Sequence, residues 1–490
     1  MVTASADSVV LALDVGTSSC RASLFDVHAR SMPEAMARIT YSPRVTPDGG
    51  AELNADALFD DVCSVIDEVL RPPDTPRILA VATSTFWHSL MGVDARGRPL
   101  TPLYLWLDAR ARDEMAGLRQ QLDERAIHAR TGCVLHWTYW PARLRWLQRT
   151  QPESVRNVHR WISFAEYLLQ RLTGSSGVSV SMASGSGLLD IHTLEWDQAL
   201  LEFLHLEPTQ LGILTPLKNT STSTQRWPHL NHVPWLSAVG DGACSNLGAG
   251  CASPDRFALM IGTSGAERAV WSPPAHLSFS FPWGLWAYRV DERRVAMGGA
   301  LNDGGSLLDW LRDSLQLPDL AASEAAVADM EPDAHGLTVL PLWGGERNPG
   351  WADDARGAIV GLRLSTPASN ILRACLEAVA LRFAMVDRLL LQALPQATQV
   401  IATGGALLHS PAWMQILADV LGRQVLASAE AEASSRGAAL LGLEAVDALP
   451  FALEDMQPET TRCFEPVAEH TERYRLAAER QQRLYDALVQ

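Results

Sequence analysis

Apolar runs broken by small-residue turns alternate with stretches of helical spacing along this 490-residue chain, which predicts an α/β protein. The first run, Val9–Val15, stops at Gly16, Thr17 and Ser18, and a second alternating run, Arg21–Val27, follows. That pattern reads as a strand, a tight turn and a returning strand. It recurs at Gly262, Thr263 and Ser264, about half a chain length further on, and points to a duplicated unit. Such a turn offers backbone N–H groups and hydroxyls with no bulky side chain in the way, so an oxyanion such as a phosphate can approach the main chain. One turn in each half suggests a nucleotide held between two lobes.

Helical spacing fills the intervals. Asp56–Leu70 places Leu58, Phe59, Val62, Val65, Ile66 and Val69 on one face, and Trp161–Leu172 runs to a glycine stop at Gly174. The Ser/Gly-rich stretch from Gly174 to Gly187 alternates in a way that predicts strand and turn at a cleft rather than a linker. In the second half, Leu285–Val290 and Val295–Met297 flank a hairpin turn, and Ala368–Leu394 carries a long apolar stripe. A strand at Val400–Thr403, the turn Gly404 and Gly405, a helix Pro411–Leu421, a short strand Val425–Ala427 and a helix from about Ser434 complete the order. Small residues and a proline at Gly248–Pro254 mark the boundary between two expected domains, 1–250 and 251–490.

Composition narrows the class. Apolar residues make up 47% and charged residues 20%, ordinary for a globular protein, and no tract is long and apolar enough to cross a bilayer. The start, MVTASADS, lacks the pattern of a secretion signal, so a cytoplasmic location is expected. Seven scattered cysteines without a C-x-x-C argue against a disulfide framework or a zinc cage. A net charge of −16 argues against a nucleic-acid partner. Lys218 is the only lysine, and its surroundings, TPLKNT, are no phosphate loop; this excludes nucleotide enzymes that set a lysine against the phosphates.

Two carboxylates stand where chemistry could occur. Asp14 ends a strand just before the first Gly-Thr-Ser turn, where a hard oxygen ligand could hold Mg²⁺, or a turn aspartate could bond its own backbone. Asp241 lies between two glycines at the end of an apolar run and before small residues that continue toward a helix. It suits either the acceptor of a hydroxyl proton or a helix cap.

In this order and spacing, LALDVGTSSCRASLFD, AVGDGACSN, MIGTSGAERAV, GGALNDGGSLLDWL, and ATGGALLHSPAWMQILADVLGRQV with SSRGAALLGL resemble the FGGY carbohydrate kinase family over nearly the whole chain. The resemblance implies two actin-like (ribonuclease-H-like) domains with a cleft between them, ATP and Mg²⁺, and phosphorylation of a sugar hydroxyl. It implies that Gly16, Thr17, Ser18 and Arg21 lie along the phosphates, that Gly262, Thr263 and Gly305 form a second clamp, and that Gly404 and Gly405 pass the adenosine. Asp241 matches the catalytic base, and Asp14 with Asp241 would lie near the cation. Family members often have a polar amide where this chain has His409.

Within the family, STFWHSLMGVDARGRPLTPLYLWLDARAR is most similar to gluconokinase-like members. Trp87, His88, Trp106, Asp108 and Arg110 are the matching substrate residues, and D-gluconate is the expected acceptor, giving 6-phospho-D-gluconate. Asp108 and Arg110, two apart on a loop, equally suit pairing with one another. Phe86 and Trp87 are bulkier than the Gln-Met pair of many sugar kinases, which implies a pocket that is narrower or shaped for another sugar acid. Trp283 and Trp286 read as packing residues. A pentulose kinase of the same family and a non-catalytic ATP-binding switch are the competing readings, and a homodimer is compatible with the sequence.

Overall fold

A computed structural model describes residues 8–71, 76–218, 226–274 and 279–489; most of the N-terminal stretch read above lies outside them. The first lobe is built on β1 (Ser8–Val15), β2 (Ser19–Asp26), β3 (Ser31–Thr40), β4 (Arg77–Thr85) and β5 (Val239–Gly240), in the spatial order β5-β4-β1-β2-β3. β1 and β2 are antiparallel, as are β2 and β3, while β4 runs parallel to β1 and β5 parallel to β4. Helix α1 (Ala55–Val69) turns its apolar face to this sheet, α2 (Phe164–Thr173) lies further along the chain, and α3 (Asp241–Gly248) follows β5 directly.

The second lobe repeats the scheme. Strands β6 (Arg256–Ile261), β7 (Gly265–Trp271), β8 (Trp286–Arg289), β9 (Val295–Leu301), β10 (Gln399–Thr403), β11 (Gln424–Ser428) and β12 (Thr460–Phe464) form one sheet in the order β8-β9-β7-β6-β10-β11-β12. Here β6, β7 and β9 are antiparallel neighbours and β10 and β11 run parallel beyond β6, so five strands match the first sheet one for one. The duplicated turn is therefore the visible part of a duplicated topology, as a pair of actin-like domains requires. Helices α4 (Gly305–Ser314), α5 (Ala368–Ala393), α6 (Pro411–Leu421), α7 (Ala433–Ala445) and α8 (Ala468–Leu488) complete this lobe.

Two expectations change in detail. Trp161 lies in a short strand, Arg160–Ile162, and α2 starts only at Phe164, because Ser163 and Glu166 close a capping box there. The stretch expected as strand and turn at 174–187 is strand only over Gly177–Ser179; Val180–Ser184 is helical, since the Ser179 side chain accepts the Met182 N–H and caps the turn. No helix among the described residues is long and apolar enough to cross a membrane.

Candidate active site

The sheet register gathers the carboxylates. Asp14 on β1 is opposite Ser84 on β4, and Ser84 is opposite Val239 on β5, so Asp14 and Asp241 leave the carboxyl ends of parallel strands separated by one neighbour. Open α/β sheets bind ligands at that end. Burial raises the pKa of Asp14 against the opposing pull of Arg21. Asp241 rises to about 6, first through burial and then through the negative charge of Asp14, with Arg268 and the Gly242 N–H pulling the other way. Two carboxylates leaving nearby strand ends, one raised by the charge of the other, form a hard-oxygen donor set that suits a divalent cation.

The first turn is tied down from both sides. Gly16 N–H donates to Ser19 O at 2.8 Å, the Tyr41 hydroxyl donates to Gly16 O at 2.6 Å, and Trp106 Nε1–H donates to Thr17 Oγ1 at 3.1 Å. Ser18 is exposed at its tip. Arg21 is drawn across the lobes to Glu432 and lies 3.6 Å from Asp14, so both carboxylates face its charge. The second turn is joined to α4: Gly305 N–H donates to Gly262 O at 2.7 Å and Ser306 N–H to Thr263 O at 2.9 Å. A Cβ on Gly305 would lie 2.4 Å from Gly262 O, and on Gly404, whose φ is +90°, 2.4 Å from Ile261 O. These close approaches explain the glycines.

Two cavities adjoin the turns. A cleft of about 440 Å³ is lined by Gly262, Thr263, Gly305, Leu376, Gly405 and His409. Gly404 shapes its rim through the turn without lining it. A smaller pocket of about 190 Å³ is lined by Thr17, Trp87, His88, Trp106 and Asp241 from the first lobe, with Arg268, Trp286, Tyr288 and Arg347 from the second.

Inside the smaller pocket each aromatic is fixed. Trp87 Nε1–H donates to Ser181 O at 3.1 Å, and its ring covers Gly240, where a Cβ would lie 1.8 Å from the indole. His88 has φ +67°, a strained position for a residue with a Cβ. Its Nδ1 is bonded to Gly185 O, which leaves Nε2 as an acceptor, and burial lowers its pKa to about 3, so the ring is neutral. Its ring meets Tyr139 and Tyr288 edge-on at 5.2 and 5.4 Å. The site thus combines a carboxylate with raised proton affinity, a neutral imidazole acceptor, guanidinium donors and an aromatic wall.

Two expected substrate residues are not in it. Asp108 and Arg110 bind each other: Arg110 Nε–H donates to Asp108 Oδ1 at 3.1 Å, and Arg110 Nη2 also lies 3.0 Å from Glu52 Oε2. Arg110 packs over Tyr104 and Trp146, and Asp108 takes the Ala51 N–H at 3.1 Å. A loop aspartate and arginine two apart satisfied one another, and the pair ties the Glu52 strand to the Trp106 loop. Conversely, Arg268, Arg347 and Tyr288 line the pocket without having been singled out, and Trp286, read as packing, lines it as well. Arg268 stands four residues after Ser264 in the second copy of the turn, which was the available signal. Lys218 faces Asp447 at 3.8 Å, at the surface.

Known proteins match this arrangement over its whole length. The model described as the FGGY family of carbohydrate kinases, N-terminal domain, matches residues 9–248, and its C-terminal counterpart matches 258–446. A gluconokinase of Bacillus subtilis is 27% identical, covering 96% of this chain and 94% of its own. Solved structures of a gluconate kinase and a ligand-bound xylulose kinase, both from Lactobacillus acidophilus, superpose with TM-scores of 0.91 each at 25% and 26% identity, covering 98% of both chains in each case. Glycerol kinases also match along the chain.

Proposed function

Because this chain belongs to the FGGY family of carbohydrate kinases, and is a sugar kinase, we propose that its acceptor is an open-chain sugar acid, D-gluconate, converted with ATP to 6-phospho-D-gluconate. The observation that carries the reading is the small pocket: a carboxylate with its pKa near 6 lies beside a phosphate turn, under aromatic walls and among guanidinium donors. Residues 1–250 would hold the sugar, the first turn and the base. Residues 251–490 would hold the second turn and the adenosine.

Each group has a task. Asp241 accepts the proton of the attacking hydroxyl, and His88 Nε2 accepts a hydrogen bond from a second hydroxyl, which orients the chain of the sugar. Trp87 and Trp106 supply apolar walls for its carbon face. Gly16, Thr17, Ser18, Gly262, Thr263 and Gly305 offer backbone and hydroxyl donors to phosphate oxygens, and Arg21, Gly404 and Gly405 frame the same nucleotide. Asp14 and Asp241 would hold Mg²⁺, which neutralises phosphate charge when bound. Lobe closure then keeps water from competing with the sugar.

A panel of gluconate, xylulose, ribulose and glycerol, read by ADP release, tests the reading. Gluconate should be the best substrate. A preference for xylulose, which the xylulose kinase likeness keeps in view, would replace the sugar acid by a pentulose, and no release with any sugar would leave a nucleotide switch. Asp241→Asn should lower kcat by roughly 10²–10⁴-fold while ATP still binds. Near-normal turnover would remove Asp241 as base.

A further inference from the structure

In the small pocket, donors are left over. The Arg347 guanidinium lies over the Trp106 ring at 5.5 Å, its side chain makes no hydrogen bond or ion pair with any described residue, and its Nε is buried without a partner. The Trp286 Nε1–H is also buried without a partner and its ring lines the same pocket. Neighbouring polar groups are already used. Arg143 donates to the carbonyls of His88 and Leu105, the Tyr139 and Tyr288 hydroxyls bond each other at 2.6 Å, and His88 is neutral.

Charge tells the same story. Arg268 faces Asp241, donates from Nε to Asn246 Oδ1 at 3.1 Å, and offsets the base. Arg347 has no such counterpart, and its charge is felt by His88, Tyr139, Tyr288 and Arg268. The pocket therefore holds a carboxylate, Asp241, whose charge is met by Arg268, and a guanidinium, Arg347, that no described anion meets. A half-buried guanidinium stacked on an indole and lacking an anion is free to pair with one that a ligand supplies.

We propose that Arg347, with the Trp286 N–H as a second donor, binds the carboxylate of the substrate and sets the preference for a sugar acid over the corresponding neutral polyol. This rests on the sugar-acid reading above and adds the residue that enforces it. Guanidinium and carboxylate match as a two-bonded pair, and the stack on Trp106 holds the fork in place. Trp106 is in turn bonded to Thr17, so the arm that grips the acid end is braced against the phosphate turn.

The test compares D-gluconate with D-glucitol, the same carbon chain with an alcohol in place of the acid, in full-length wild type, Arg347→Gln, Arg347→Lys and Trp286→Phe. Wild type should favour gluconate. Arg347→Gln should raise the gluconate KM roughly 10–100-fold, the worth of a charged hydrogen-bonded pair, and shrink the gluconate-to-glucitol ratio of kcat/KM by a similar factor. Arg347→Lys should restore part of that ratio, and Trp286→Phe should raise the gluconate KM with a smaller loss on glucitol. Equal losses on both substrates, or an unchanged gluconate KM, would overturn the assignment. Should Arg347→Gln fail to fold, by its melting curve, the lysine and phenylalanine variants decide by the same ratio. Wild type that takes xylulose and ignores gluconate would fell the function reading itself, an outcome seen in the wild-type row before any variant is compared.

Discussion

Burial lifts several carboxyl groups of this chain above their ordinary range, and three of them, Asp241 and Asp303 at about 6 and Glu166 at about 7, make a comparison. Perturbed proton affinity alone does not mark a catalytic group; what the group faces does. Asp303 accepts the Gly344 N–H at 2.9 Å, and Glu166 accepts the Ser163 N–H at 2.7 Å and hydroxyl at 2.9 Å to close the start of α2. Only Asp241 of the three lines the small pocket with Trp87, Trp106, Trp286 and Tyr288. Glu166 makes a prediction about stability. Its pKa rises from 4.5 when unfolded to about 7 when folded, so the native state holds the proton more tightly. The stabilisation is full below about pH 4.5 and is lost as pH rises through 7, a loss on the order of 3 kcal/mol. Glu166→Gln keeps the capping box and has no proton to lose. Its urea midpoint should therefore fall less than that of wild type between pH 5 and 8; parallel profiles would show that Glu166 does not titrate there. Asp14 and Asp241 were legible because each ends an apolar run at a glycine turn. Arg347 was not, because in a chain whose basic residues are all arginine but one, only the fold shows which guanidinium lacks a partner.

At the scale of elements, the two helices that follow the fifth strand of each matched set, α3 and α7, pack on one another. Their contact is made by glycine from both sides: a Cβ on Gly437 would lie 1.9 Å from Cys244 O, and one on Gly248 would lie 1.9 Å from Ala433 O. The sequence marked SSRGAALLGL as helical, but an isolated glycine in such a pattern looks like a weakness rather than a contact. Only the meeting of two backbones gives it a purpose. The sign of a substitution follows. In a free helix Gly→Ala would stabilise by about 1 kcal/mol, whereas Gly437→Ala here must push main chain away and should destabilise by about 1–3 kcal/mol. Since α3 begins at Asp241, the variant should also lose more in kcat than in ATP affinity. A melting temperature at or above that of wild type would mean that the helices do not meet as closely as drawn.

For the whole molecule, the same helix pair shows why two domains in the sequence do not imply two separable folding units. The boundary expected at 248–254 rests on a run of small residues before the second turn, and the two large sheets lie on either side of that run. Yet α7, from the second half, packs on β1 and β4 of the first, with Gly442 set closely against Val10 and Ala82. Its Ala438, Ala439, Leu441 and Leu443 share one buried cluster with Val10, Ala12, Ala80 and Ala82. Arg436 donates to Ala29 O at 3.2 Å and to Gly248 O at 2.9 Å, and Arg21 reaches back to Glu432. None of these pairs could be foreseen, because each joins residues 188 or more positions apart. A fragment of residues 1–250 would expose the apolar face of β1 and β4 that α7 covers, and an uncovered face of that kind favours aggregation over folding. Expressed alone, it should show no cooperative thermal transition, and supplying residues 251–490 as a second chain should restore both the transition and sugar-dependent ADP release. A fragment that melts cooperatively by itself would show that α7 is an accessory to the first lobe and that the two halves fold independently.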